Sequence, residues 1–154
     1  MDKLDDLDFA ILKILIQDAK TPYTEVGKRL NVSSGTVHVR MRKLEDAGIV
    51  TGSTLSINHE ELGYHMCGFL GIELVHDRMH DDVVGQLKEI PQIVAAYFTS
   101  GPHPILAKVV CHDKQELTDI LRSRIYPIDG VQNVEVYVTL SEYFNRSLDL
   151  AHSF

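Results

Sequence analysis

Asn31-Val32-Ser33-Ser34-Gly35-Thr36-Val37-His38-Val39-Arg40-Met41-Arg42-Lys43-Leu44 is the stretch on which the reading of this chain turns. Asn31 tolerates the left-handed conformation that closes a helix. Ser33 is a natural N-cap, because its hydroxyl can accept from an orphan amide in the first turn. Val37, Met41 and Leu44 then recur at helical spacing, which predicts one apolar stripe facing inward, and Ala47-Gly48 ends the run. Upstream, Thr21 as N-cap and Pro22 at the first helical position open a helix with Tyr23, Val26 and Leu30 on its apolar side. Before that, Leu4, Leu7, Ile11, Leu12, Leu15 and Ile16 mark a first helix. Three helices with a tight turn at 31–33 make a helix-turn-helix unit.

Charge supports that reading once it is mapped. The chain of 154 residues carries a formal net charge of −7. Residues 1–57 hold eight Lys/Arg against eight Asp/Glu, whereas residues 58–154 hold seven against fourteen. Lys28, Arg29, Arg40, Arg42 and Lys43 fall within 28–44, a window without a single acid. Phosphate attraction is local, since salt screens exposed charges beyond about 10 Å. With Val37, Met41 and Leu44 inward, Ser34, Gly35, Thr36, His38, Val39, Arg40, Arg42 and Lys43 are expected to face a major groove. There hydroxyls and guanidinium groups read base edges and methyls pack on thymine. Lys28 and Arg29 suit phosphates, which fix register without reading sequence. The plainer alternative is an interaction domain with a solvated basic face.

Past residue 48 the periodicity changes. Residues 49–63 read as an extended connector, able to pair with its counterpart in another subunit, ending in a turn at His59-Glu60-Glu61-Leu62-Gly63. The remainder predicts strand 64–75, helix 79–90, strand 92–100, strand 104–112, helix 114–126 and strand 132–142, a ferredoxin-like βαββαβ order. The expected fold is therefore α+β. A three-helix domain over 1–48 is joined by the connector 49–63 to a second domain over 64–154.

Two helices cover one face of a four-stranded sheet. Yet Ile93, Ala95 and Tyr97 alternate with Val94, Ala96 and Phe98, and Ile105, Ala107 and Val109 with Leu106 and Val110. An apolar second face is an association surface, so dimerisation through the sheet is expected.

Several motifs together resemble one known family. Leu4-Asp5, Asp8, Ile11-Leu12 and Leu15 lead into Val32-Ser33-Ser34-Gly35-Thr36-Val37, Arg40, Lys43-Leu44-Glu45, Gly48-Ile49-Val50 and Gly52. Leu62-Gly63-Tyr64, Ala96-Tyr97-Phe98-Thr99-Ser100-Gly101 and Ala107-Lys108-Val109 complete the set. This combination, spread over essentially the whole chain, resembles the Lrp/AsnC (feast/famine) transcriptional regulators. The resemblance implies a winged-helix-like DNA-binding domain, binding to double-stranded DNA, a ligand-sensing αβ-sandwich, homodimers that assemble into octamers, and response to an amino-acid effector. It places the effector at the loop between the second and third strands of the sensing domain, here Thr99, Ser100, Gly101, Pro102, His103 and Pro104, with Thr139 and Ser141 contributing from the last strand. Backbone amides beside a glycine suit a carboxylate, and hydroxyls suit an ammonium group. Many relatives carry an acid near position 104. Pro102 and Pro104 instead remove two amide donors and stiffen the loop, which leaves an architectural DNA-binding protein without an effector as the alternative.

Other classes find little support. No nucleophile–base pair, phosphate loop or paired Cys/His spacing is present, so neither an enzyme nor a metal or other cofactor is expected. Cys67 and Cys111 lie in strand-like stretches and read as inert buried thiols. The acidic start lacks the basic and apolar regions of a signal peptide, and no apolar run is long enough to span a membrane; a cytoplasmic protein is the expectation.

Overall fold

The computed structural model describes residues 4–148 and 150. The chain divides into two units, one built from residues up to Ser56 together with the segment from Phe144, the other from Ile57–Tyr143. The outermost parts of the expected domains, residues 1–3, 149 and 151–154, lie outside the described residues.

The first unit contains α1 (Asp6–Gln17), α2 (Tyr23–Leu30) and α3 (Ser34–Asp46). Asp5 caps α1, its carboxylate accepting from the Asp8 amide at 3.0 Å while the Asp5 amide donates back to Asp8 at 3.2 Å. The cap of α2 falls on Pro22 rather than Thr21, which makes no capping hydrogen bond and is instead buried. Pro22 is extended there, and its carbonyl accepts from both Glu25 and Val26.

Asn31 closes α2 in the left-handed region at φ 55°. The turn is held tightly: the Val32 amide donates to the Gly27 carbonyl at 2.9 Å, and a Cβ at Gly27 would lie 2.7 Å from the Val32 carbonyl oxygen. Ser33 caps α3 by accepting from the Thr36 amide at 3.0 Å. Ile11, Leu12, Val26, Val37, Met41 and Leu44 form the core, each large side chain contributing about 1.5–3 kcal/mol by leaving water. Residues 49–57 carry no strand. Leu150 packs against this helical core.

In the second unit, a 3₁₀ turn at Glu60–Leu62 precedes β1 (Met66–Leu74), α4 (His80–Lys88), β2 (Ile93–Phe98), β3 (Ile105–Cys111), α5 (Lys114–Ile120) and β4 (Val131–Val138). The helix expected over 114–126 changes at residue 121 into a π-helical segment, Leu121–Ile125, closed by the Tyr126 amide on the Leu121 carbonyl. The sheet is antiparallel in the order β2-β3-β1-β4. Leu70, Ile72, Ala107 and Val109 pack beneath Val83 and Leu87 of α4 and Leu117 and Ile120 of α5.

The register corrects one expectation about β2. Ile93 pairs with Val109 but Ala95 with Lys108, so Val94 is bulged out and 53% exposed. Beyond the bulge, Ala96 and Phe98 share the helix side with Ile93, while Ala95 and Tyr97 point to the open side. The open side thus carries Tyr97, Leu106, Phe69, Cys67 and Tyr137, with no element of this unit over it.

Candidate nucleic-acid interface and ligand loop

Helix α3 presents an exposed side of mixed character. Ser34, Gly35, His38, Val39, Arg42 and Lys43 are exposed, and no acid occupies the first turn. Thr36 is half-buried, its hydroxyl 2.9 Å from that of Ser33. The His38 ring meets the Tyr23 ring edge-on at 4.6 Å, so this imidazole is steered by α2. Lys28 and Arg29 are exposed in the last turn of α2, and Arg29 pairs with Glu25 one turn earlier at 3.1 Å.

Arg40 does not stand with the others. Its guanidinium donates to Asp5 and, at 3.1 Å, to Asp8, whose side chain is fully buried. Arg40, expected to face the groove, thus also ties α3 to α1. Spacing explains why: Arg40 is three residues past Val37 and four before Leu44, on the border of the inward stripe. The Asp8 amide, and after it Arg40, hold the Asp5 carboxyl below its ordinary range. Asp5 and Asp8 stand in the motif that opens the chain, but their pairing with Arg40 is not among the sequence expectations, although an arginine bordering an apolar stripe signals a partner on the neighbouring helix.

In the second unit the β2–β3 loop folds onto the open side of the sheet. The Thr99 amide donates to the Pro104 carbonyl at 3.0 Å and the Thr99 hydroxyl to the His103 carbonyl, so both Thr99 donors serve the loop itself. Ser100, Gly101 and Pro102 are exposed. His103 lies over Gly71, where an added Cβ would come within 2.5 Å of the ring. Its Nε2 is 3.2 Å from Glu135 and 3.4 Å from the Tyr137 hydroxyl, and its Nδ1 faces Glu73 at 3.8 Å. The Tyr137 hydroxyl, followed by His103, lowers the Glu135 carboxyl below its usual value, and the same hydrogen bond raises Tyr137.

Glu73, Glu135 and Tyr137 were not anticipated; the available signal was Gly71, a glycine inside a strand that allows close approach. Of Thr139 and Ser141, both expected near this loop, Thr139 is not brought to it within the chain. The Thr139 amide donates to Cys67, four residues along β1 from Gly71, which is about 13 Å of strand.

Cys111 is buried, and burial, reinforced by the charges of Glu116 and Asp113, pushes its thiol up to about 11. Among the described residues no group of three or more His, Cys, Asp or Glu side chains is arranged to hold a metal, and no helix is long and apolar enough to cross a membrane.

Comparison with known proteins agrees with both halves. A winged helix-turn-helix DNA-binding model matches residues 4–51, and a model of the Lrp/AsnC ligand binding domain matches residues 67–148. The chain is 36% identical to the regulatory protein AsnC of Haemophilus influenzae, over 96% of this chain and 99% of that one. It is 37% identical to the HTH-type transcriptional regulator LrpA of Pyrococcus horikoshii, over 85% and 92% respectively. The structure of Escherichia coli AsnC superposes with a TM-score of 0.89 at 33% identity, covering 96% of this chain and 99% of that one. A Neisseria meningitidis transcriptional regulator solved in complex with L-Met shares the fold, with a TM-score of 0.91 at 22% identity over 97% of this chain and 99% of that one.

Proposed function

The chain belongs to the Lrp/AsnC family of transcriptional regulators, and from that premise we propose that it is a sequence-specific DNA-binding protein whose affinity or assembly responds to an amino acid. The observation that carries the DNA half is the exposed side of α3, where hydroxyls, Arg42 and Lys43 stand together without an acid in the first turn. A two-fold dimer would present two such helices to half-sites about one helical turn apart, roughly 34 Å. Ser34, Gly35, Thr36, His38, Val39, Arg42 and Lys43 are the proposed groove-facing set, with Lys28 and Arg29 on phosphates. The apolar side chains beside the docked β2–β3 loop, on the face of the sheet away from its helices, support pairing with a second copy, and higher assembly up to an octamer follows the same family logic.

The proposed effector locus is the loop 99–104. Exposed Ser100 and Gly101 offer amides to a carboxylate, while Glu73 and Glu135 supply negative charge for an ammonium group. Thr139 would take part only through another subunit, and Ser141 stays in the proposed set. One observation favours the second reading, an architectural protein without effector: Thr99 has spent both donors inside the loop and His103 is already docked.

Thermal-shift measurement of the full-length protein against each of the twenty amino acids separates the two. Stabilisation of about 2.7 kcal/mol is expected for a true effector at a hundredfold excess over its dissociation constant. A flat response across all twenty overturns the sensor reading and leaves the DNA reading intact.

A further inference from the structure

We propose that Gly35 and Val39 together form a seat for the 5-methyl group of thymine, making Val39 the residue through which α3 selects T at one position of each half-site. The inference rests on the reading that α3 enters the major groove.

Val39 is 69% exposed, whereas Val37, Met41 and Leu44, the other large apolar residues of α3, are buried. Its helical neighbours three and four residues away are Gly35, Thr36, Arg42 and Lys43, so no apolar partner on its own helix accounts for it. The fold does not require Gly35. A Cβ there would meet only the Ser33 hydroxyl, at an ordinary 3.6 Å, and no left-handed backbone calls for glycine. Glycine weakens a helix relative to alanine. An open surface at that point is a need set from outside the domain.

The two positions act as one. Gly35 lies one turn before Val39 on the same face of the helix, and no Val39 side-chain atom stands within 4 Å of where a Gly35 Cβ would be, which leaves room between them. The result is a shallow apolar step in a polar, basic surface. In the major groove the thymine C5-methyl is the one apolar group among the base edges. Of the polar side chains beside Val39, Arg40 is tied to Asp5 and Asp8, while His38, Arg42 and Lys43 border the step as its exposed polar rim.

The test uses a duplex selected from a random library by the full-length protein, with each thymine replaced singly by deoxyuridine, which lacks the methyl. At one thymine per half-site the replacement is expected to weaken wild-type binding about fourfold, the equivalent of about 0.8 kcal/mol for one buried methyl-sized group. Val39→Ala should bind the thymine duplex about as weakly and lose nothing more on deoxyuridine replacement.

A wild-type protein indifferent at every thymine, or a Val39→Ala variant that keeps the full penalty, overturns the proposal. Arg42→Ala and Ser34→Ala separate this failure from that of the underlying reading. If they weaken selected binding while the deoxyuridine scan is flat, α3 still reads DNA and only Val39 is wrongly assigned. If neither variant changes binding, or no duplex is selected, the groove reading fails and takes this proposal with it.

Discussion

The guanidinium of Arg40 lies 3.1 Å from Oδ1 of Asp8, a carboxylate with no solvent-exposed surface. A buried carboxylate must be paired, and Arg40 pairs it while also donating to the α1 cap residue Asp5. Helix α3 is thereby fixed against α1 by a residue at the border of its inward stripe.

Replacing Arg40 with Met is therefore expected to lower the melting temperature and to weaken selected and random DNA by the same factor. A base-reading arginine would instead lose selected binding alone, with no loss of thermal stability. Lys28→Ala provides the contrast: unchanged melting, uniformly weaker DNA binding, and a salt-dependence slope reduced by about one. Circular-dichroism melts with anisotropy titrations at several salt concentrations read all of these.

The same tie predicts an acid response. Asp5 titrates below its ordinary value of 3.8 in the folded state, chiefly through the Asp8 amide and then through Arg40. A carboxyl depressed on folding stabilises the fold above its unfolded value and loses that contribution as pH falls through the lower folded one. Asp5→Asn keeps a capping oxygen but removes the charge. Wild type should melt above this variant at neutral pH, and the gap should close below about pH 4. A gap that persists unchanged into stronger acid would show that capping rather than charge sets the difference.

Gly71 and His103 are expected to be coupled. A methyl at position 71 would come within 2.5 Å of the imidazole, and Pro102 and Pro104 restrict how the loop moves aside. Gly71→Ala should cost roughly 1–3 kcal/mol, the range for overpacking a fitted site. In a His103→Ala background it should cost almost nothing. Denaturant unfolding of the four proteins gives the coupling energy directly, and additive costs would remove the contact from the account.

The open side of the sheet makes a prediction about assembly. Tyr97 is 57% exposed beside Leu106. Tyr97→Asp is expected to yield a monomer in light scattering, with retained helical content, because a desolvated unpaired carboxylate is unfavourable in an apolar contact. An unchanged molar mass would place the subunit interface elsewhere.

Local chemistry was legible in the chain itself. The left-handed Asn31, the Ser33 cap, the inward set Val37, Met41 and Leu44, and the βαββαβ order all follow from spacing and turn residues, because one or two turns of backbone decide them. What the chain could not declare were contacts between residues far apart in sequence. Arg40 meets Asp5 and Asp8 across more than thirty residues, His103 finds Glu73 and Glu135 from three separate elements, and the Val94 bulge reverses which side of the sheet Phe98 occupies. A buried charge and a bulged strand take their partners from the packing of whole elements. Side-chain roles at those positions are therefore set by tertiary structure, where periodicity carries no information.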